Sequence, residues 1–308
     1  MKFLVNAFNQ APPWLQLTAG AILISFSGVY VKIAHVTPVV AGFYRMLFGG
    51  SALLLLVLLR REMRFKGGPY IWYGLFCSFW LAVDLILWHF SIHVNGPGLA
   101  TILANFQVFF MALAGVFFLG EKVRFKLVIS IPLALLGLFL VVGIQWERLG
   151  GDYKLGVYAG LIAAVCYTLF LLSLRKIQKL EDPLSTAANL TVISFLTAVF
   201  LAGDIWRQGD SFQIPDMRSA LALVVYGITS QAIGWLIITR ALPKIRASLV
   251  GMILLLQPAL AFVWDVLFFA RPTTLVNLVG ITITLVAIYL GVSAKSVQSR
   301  EQQHFSSD

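Results

Sequence analysis

Apolar residues occupy this chain in long blocks, and polar residues gather in short clusters between them. Ten blocks fall at about 14–33, 38–59, 70–91, 97–119, 125–144, 154–174, 185–203, 219–239, 247–269 and 273–293. Each approaches the ~20 mostly apolar residues that a helix needs to cross hydrocarbon. Gly, Pro and charged residues mark most connections, as at Gly67-Gly68-Pro69, Gly96-Pro97, Gly150-Gly151-Asp152 and Asp182-Pro183. The longest connection, 204–218, is only a loop, so no soluble domain fits between blocks. The pattern predicts an all-α polytopic membrane protein of ten transmembrane helices. The first block follows Pro12-Pro13 with no small-residue cleavage site after it, and is expected to stay as a spanning helix.

Composition agrees with lipid as the solvent. Of 308 residues, 59% are hydrophobic and 12% charged, against about 45–50% and about 25% in soluble domains. The net charge of +10 does not call for nucleic acid, because the charges fall as short groups between the blocks. Alternate connections are rich in Lys and Arg: Arg60, Arg61, Arg64 and Lys66; Lys122, Arg124 and Lys126; Arg175, Lys176 and Lys179; Arg240, Lys244 and Arg246. With Lys2, Lys295 and Arg300 this set holds sixteen basic residues, and the opposite set holds five: Arg148, Lys154, Arg207, Arg218 and Arg271. The positive-inside rule puts the rich set and both termini in the cytoplasm. Cys77 and Cys166 lie within apolar blocks and imply neither a disulfide framework nor a metal site.

The chain also repeats itself. Setting Gln107 on Gln257, 150 residues apart, brings Phe118 onto Phe268, Gly120 onto Ala270, Leu103 onto Ile253 and Ser130 onto Gly280. The expected units are residues 14–144 and 154–293, five spans each, followed by a cytoplasmic tail at 294–308. Five is odd, so the second unit enters the membrane from the opposite side. This inverted 5+5 repeat is the plan of many secondary transporters, whose site lies near the midplane between the repeats.

At Gly98-Leu-Ala-Thr-Ile-Leu-Ala-Asn-Phe-Gln-Val-Phe, Phe118-Leu-Gly-Glu-Lys and Gly137, the chain resembles the drug/metabolite transporter superfamily, in its EamA-domain branch of ten-helix bacterial exporters. The likeness continues in Arg240-Ala-Leu-Pro-Lys-Ile-Arg-Ala-Ser-Leu-Val, Gln257-Pro258 and Gly280, and spans about Leu15 to Ala294. The family usually carries an acidic residue where this chain has Arg271, so the second copy departs from the motif there. The resemblance implies secondary export of amino acids, aromatic and neutral ones among them, or of similar small metabolites. Other branches carry nucleotide sugars, sugar phosphates or cationic drugs.

Ionisable residues inside a span are costly unless they pair or line a wet cavity. Arg45 and Asp84 each fall roughly 10 Å below the outer surface on a rise of 1.5 Å per residue, and are expected as an ion pair that fixes spans two and three or borders the pathway. His89 is a further candidate for proton coupling. Lys32 and Asp265, of opposite charge near the outer ends of spans one and nine, are candidates for a gate contact or for interfacial anchoring. Nearer the midplane the substrate-binding candidates are Trp235 and Gln257 foremost, then Asn105, Gln107, Gln231, Tyr44, Trp88 and Tyr30. Amides orient the polar edge of a ligand and aromatic faces stack or bind a cation. The same amides equally serve as interhelical hydrogen bonds, and the same rings as packing.

Pro132 and Pro258 are expected to kink spans five and nine. No G-x-x-x-x-G-K-[ST] loop, H-E-x-x-H or G-x-S-x-G occurs, so neither direct ATP coupling nor an enzyme is expected. No cofactor or metal is expected. The partners are membrane lipid and a small-molecule substrate, with proton coupling left open, and the chain is expected to act as a monomer. The alternatives are a nucleotide-sugar or drug transporter on the same scaffold, or a membrane scaffold that transports nothing.

Overall fold

The computed structural model describes residues 11–62, 69–122, 125–142, 153–180 and 185–293. The turns expected at Gly67-Gly68, Gly150-Gly151-Asp152 and Asp182-Pro183, and the tail 294–308, lie outside the described residues. The described residues form helices and no strand. Eight apolar stretches reach membrane-crossing length, and two shorter ones, Phe125–Val141 and Leu275–Gly291, bring the total to the ten expected spans.

Three spans are interrupted near their middles, each for a local reason. Span one breaks at Phe26, between Pro13–Ser25 and Ser27–Ala34. The Ser25 and Ser27 hydroxyls there donate to the carbonyls of Ile22 and Ile24, competing with the backbone ladder. Span four breaks at Phe106, where the Asn105 amide donates to the Thr101 carbonyl at 2.7 Å. Span nine breaks at Leu255, between Ala247–Leu254 and Leu256–Phe269. Pro258, having no N–H, cannot bond the Leu254 carbonyl one turn back. The break expected from Pro258 is present, whereas the helix through Pro132 runs unbroken from Phe125 to Val142. Span eight carries a π-helical segment, Gly227–Gly234, that the apolar pattern does not announce.

Spans three and four form one helical run, Pro69–Asn105, yet the run folds back on itself. A Cβ added at Gly160 would lie 2.9 Å from Ser91 Oγ and 2.8 Å from Leu103 Cβ. Those two residues therefore meet at one point on span six, whereas a straight helix would hold them about 18 Å apart.

The packing runs between the two halves of the chain. Span one packs on spans eight and nine, span six on three and four, and span two on seven and eight. Span seven also packs on three, span four on nine and span five on ten. Exchanging each span for the one five further on reproduces this list. The halves are thus interleaved, and neither is a separate body. Close approach supports it: Gly49 of span two meets Gly227 of span eight so tightly that a Cβ at Gly49 would lie 2.7 Å from the Gly227 carbonyl oxygen.

Candidate functional site

Arg45, Asp84, Tyr167, Tyr226, Trp235 and Gln257 come from spans two, three, six, eight and nine. Arg45 lies seven residues below Pro38, about 10 Å into its helix. Asp84 lies on the third span. The two were expected as an ion pair and, among the described residues, do not close into one. Arg45 instead points Nη1 at Tyr226 Oη, 3.4 Å away, with its guanidinium 5.6 Å from the centre of that ring. Arg45 Nε has no partner. Asp84, only 8% exposed, lies within electrostatic reach of Arg45, and its own charge reaches Tyr167 and Cys166.

Aromatic rings close the space around these charges. Tyr30 stacks on Tyr226 at 5.7 Å between centroids. Trp235, 3% exposed, meets Phe170 edge-on at 5.1 Å and Tyr167 at 6.4 Å. Gln257 Nε2 is buried without a hydrogen-bond partner. A buried donor without a partner carries a desolvation cost that a polar ligand would relieve.

The other predicted residues spread out. Gln231 donates to Ser194 Oγ at 3.0 Å and so joins spans eight and seven, with Oε1 unpartnered. Asn105 is spent on the break in span four. Gln107 is buried, with Oε1 unpartnered. Tyr44 donates to the Phe212 carbonyl at 2.6 Å, tying span two to the loop before span eight. Trp88 leans on His89 at 5.2 Å, and the charges of Arg45 and Asp204 reach that imidazole. Lys32 and Asp265 form a salt bridge of 2.7 Å. Tyr167 and Tyr226 were missed in the sequence because an isolated tyrosine in an apolar block carries no pattern. No group of three metal-ligating side chains occurs among the described residues.

A second polar cluster lies at the end of the bundle that carries most of the basic residues. Glu121, 8% exposed, follows span four. Its carboxylate accepts from the Ala247 and Ser248 N–H groups and from the Ser248 hydroxyl at 2.6 Å. Arg175 of span six stands 4.0 Å away and Arg246 3.8 Å. Arg246 also donates to the Lys122 carbonyl.

The model of one family, described as the EamA-like transporter family, matches residues 14–143 and again 154–293. The chain belongs to this family. An uncharacterized transporter of Archaeoglobus fulgidus is 24% identical over 284 residues, covering 90% of this chain and 97% of that protein. The uncharacterized transporter YwfM of Bacillus subtilis is 22% identical over 276 residues, covering 88% and 90%. A crystal structure of another protein superposes with a TM-score of 0.76 at 15% identity, covering 91% of this chain and 98% of that one, which shows a shared fold. This EamA-like protein is therefore a multi-pass membrane transporter.

Proposed function

We propose that this transporter is a secondary exporter of the inner membrane, moving amino acids and similar small zwitterionic metabolites out of the cytoplasm by alternating access. The observation that carries the substrate class is the pair of opposite charges within the spans, half-buried Arg45 and buried Asp84, that do not close on each other. Two such charges are mutually incomplete. A ligand with a carboxylate and an ammonium group completes both, the carboxylate on Arg45 and the ammonium beside Asp84. Tyr226, Tyr167 and Trp235 would enclose its apolar part, and Gln257 Nε2 would gain an acceptor. A heavily phosphorylated ligand would need more than one central cation.

The basic end faces the cytoplasm in this reading, with both termini. Reporter fusions should then report Lys179 inside and Gln208 outside. Because the halves interleave, the bodies that rock are mixed sets of spans, with one and six each moving with the opposite half. The deciding experiment is counterflow of a labelled amino-acid panel in liposomes, on the native chain and on R45Q and D84N. The expected result is exchange of at least one neutral amino acid by the native chain, reduced tenfold or more in each variant. Exchange that survives both substitutions at normal abundance would remove the zwitterion reading.

A further inference from the structure

The turn after span four and the turn after span nine are the same structure. Each helix ends in a left-handed residue, Gly120 at φ 64° and Ala270 at φ 49°. The next N–H then donates back six residues, Glu121 to Gly115 at 2.8 Å and Arg271 to Asp265 at 3.3 Å. The 150-residue register pairs these positions one for one: Gly115 with Asp265, Gly120 with Ala270, Glu121 with Arg271. The acid has changed place. It stands after the turn in the first copy, and six residues earlier in the second.

Its partner base also repeats. Lys32 stands two residues before the end of the helix Ser27–Ala34, and Arg175 two residues before the end of Tyr153–Ile177. These are the first spans of the two halves. Lys32 reaches Asp265 of the other half, and Arg175 reaches Glu121 of the other half. The two acid–base contacts are therefore counterparts at opposite ends of the bundle, each tying one half to the other.

We infer that these contacts are the two gates of the pathway, Glu121 with Arg175 and Ser248 closing the cytoplasmic end and Lys32 with Asp265 the outer end. This rests on the transport reading above and adds the residues that must part. At the Glu121 end the backbones seal tightly behind the clasp: a Cβ at Gly251 would lie 3.2 Å from Val108 Cα and 3.0 Å from Met111 Cβ. At the Lys32 end the seam is ring on ring, Phe26 on Trp264 at 4.3 Å, with Trp264 donating to Ser25 Oγ at 2.8 Å. The cytoplasmic gate has a buried carboxylate held by three donors, and the outer gate a partly exposed carboxylate between Lys32 at 2.7 Å and Arg271 at 3.6 Å. The outer gate therefore opens more readily.

The test is labelling by a membrane-impermeant maleimide, with Cys77 and Cys166, both buried, replaced by Ala. One reporter cysteine replaces Val108, fully buried behind the cytoplasmic clasp, and another replaces Ser25, buried under Trp264. E121Q should raise labelling at position 108 from the cytoplasmic side about tenfold and leave position 25 unchanged. K32Q should raise labelling at position 25 from outside about threefold and leave position 108 unchanged. S248A, which removes one donor only, gives a smaller rise at 108 and serves if E121Q does not accumulate. Both reporters responding to both variants, or neither responding to either in monodisperse protein, would overturn the gates. A clean crossover together with no counterflow of any substrate would instead keep the gates and refute the exporter.

Discussion

The two ends of the bundle use one backbone turn for different purposes. At Gly115–Glu121 the missing side chain at Gly115 makes room for a carboxylate, since a Cβ there would lie 2.5 Å from Glu121 Oε2. That carboxylate turns inward, caps the start of span nine and meets Arg175, itself only 14% exposed. At Asp265–Arg271 the acid fills the position of Gly115, and Arg271 lies over the Phe262 ring at 4.9 Å. Asp265 consequently faces Lys32, which is 48% exposed. The changes of Gly115 to Asp265 and of Glu121 to Arg271 separate a buried, multiply bonded clasp from a more exposed carboxylate paired with Lys32 and Arg271. Charge assistance in a dry site strengthens the first, whereas water and salt screen the second.

Removing Glu121 should have the largest effect. E121A leaves Arg175 buried without its acid and Ala247 and Ser248 without a cap, and should cost about 3–5 kcal/mol, read as a large drop in unfolding temperature in detergent. G115A comes next, at about 2 kcal/mol. The clashing oxygen belongs to a side chain, but one held by three donors, so it cannot move aside freely. A G115A protein as stable as the native chain would show that the clasp is loose, and the contrast between the ends would fail.

The left-handed residues give the third pair. G120A should destabilise by about 1 kcal/mol and A270G should stabilise by a similar amount, because only glycine adopts positive φ without a Cβ penalty. Thermal unfolding of both variants would expose any difference in how firmly the two turns are held. K32A ranks fourth, with less than about 1 kcal/mol, and its effect should vanish as salt is raised.

The smallest effect lies outside the comparison and calibrates it. Asp216 caps the helix that begins span eight, accepting from the Ser219 N–H at 2.7 Å, and this bond holds its carboxyl below the ordinary value. A depressed carboxyl contributes its stability above the unfolded pKa, and that stability is lost as pH falls through the folded one. The difference in unfolding temperature between the native chain and D216A should therefore be present near neutral pH. It should shrink through the acidic range below about pH 4. A difference that stays constant with pH would show that the Asp216 bond is not formed.

Much of this architecture was legible in the residue pattern. Ten apolar blocks, the basic bias of one end and the 150-residue register all follow from local requirements: length to cross lipid, placement of charge, and repetition. Pro258 marked the interruption of span nine through its missing N–H. Lys32 and Asp265, near the same end of their spans with opposite charge, could be matched by depth alone. The expected closure of Arg45 on Asp84 is not formed, because side-chain direction depends on the neighbours a span packs against, and Arg45 turns to Tyr226.

What the sequence by itself determined is the number of spans and the duplication, because each depends on residues near one another in the chain. Only the tertiary structure decided that span one packs with eight and nine, that Tyr226 and Tyr167 stand beside the buried charges, and that Glu121 reaches across to Ser248. The reason is the solvent. A soluble helix declares its buried face by a polar stripe on the other, but a helix in lipid is apolar all round. Its rotation and neighbours are then set by close packing and a few polar contacts, which leave no period in the sequence.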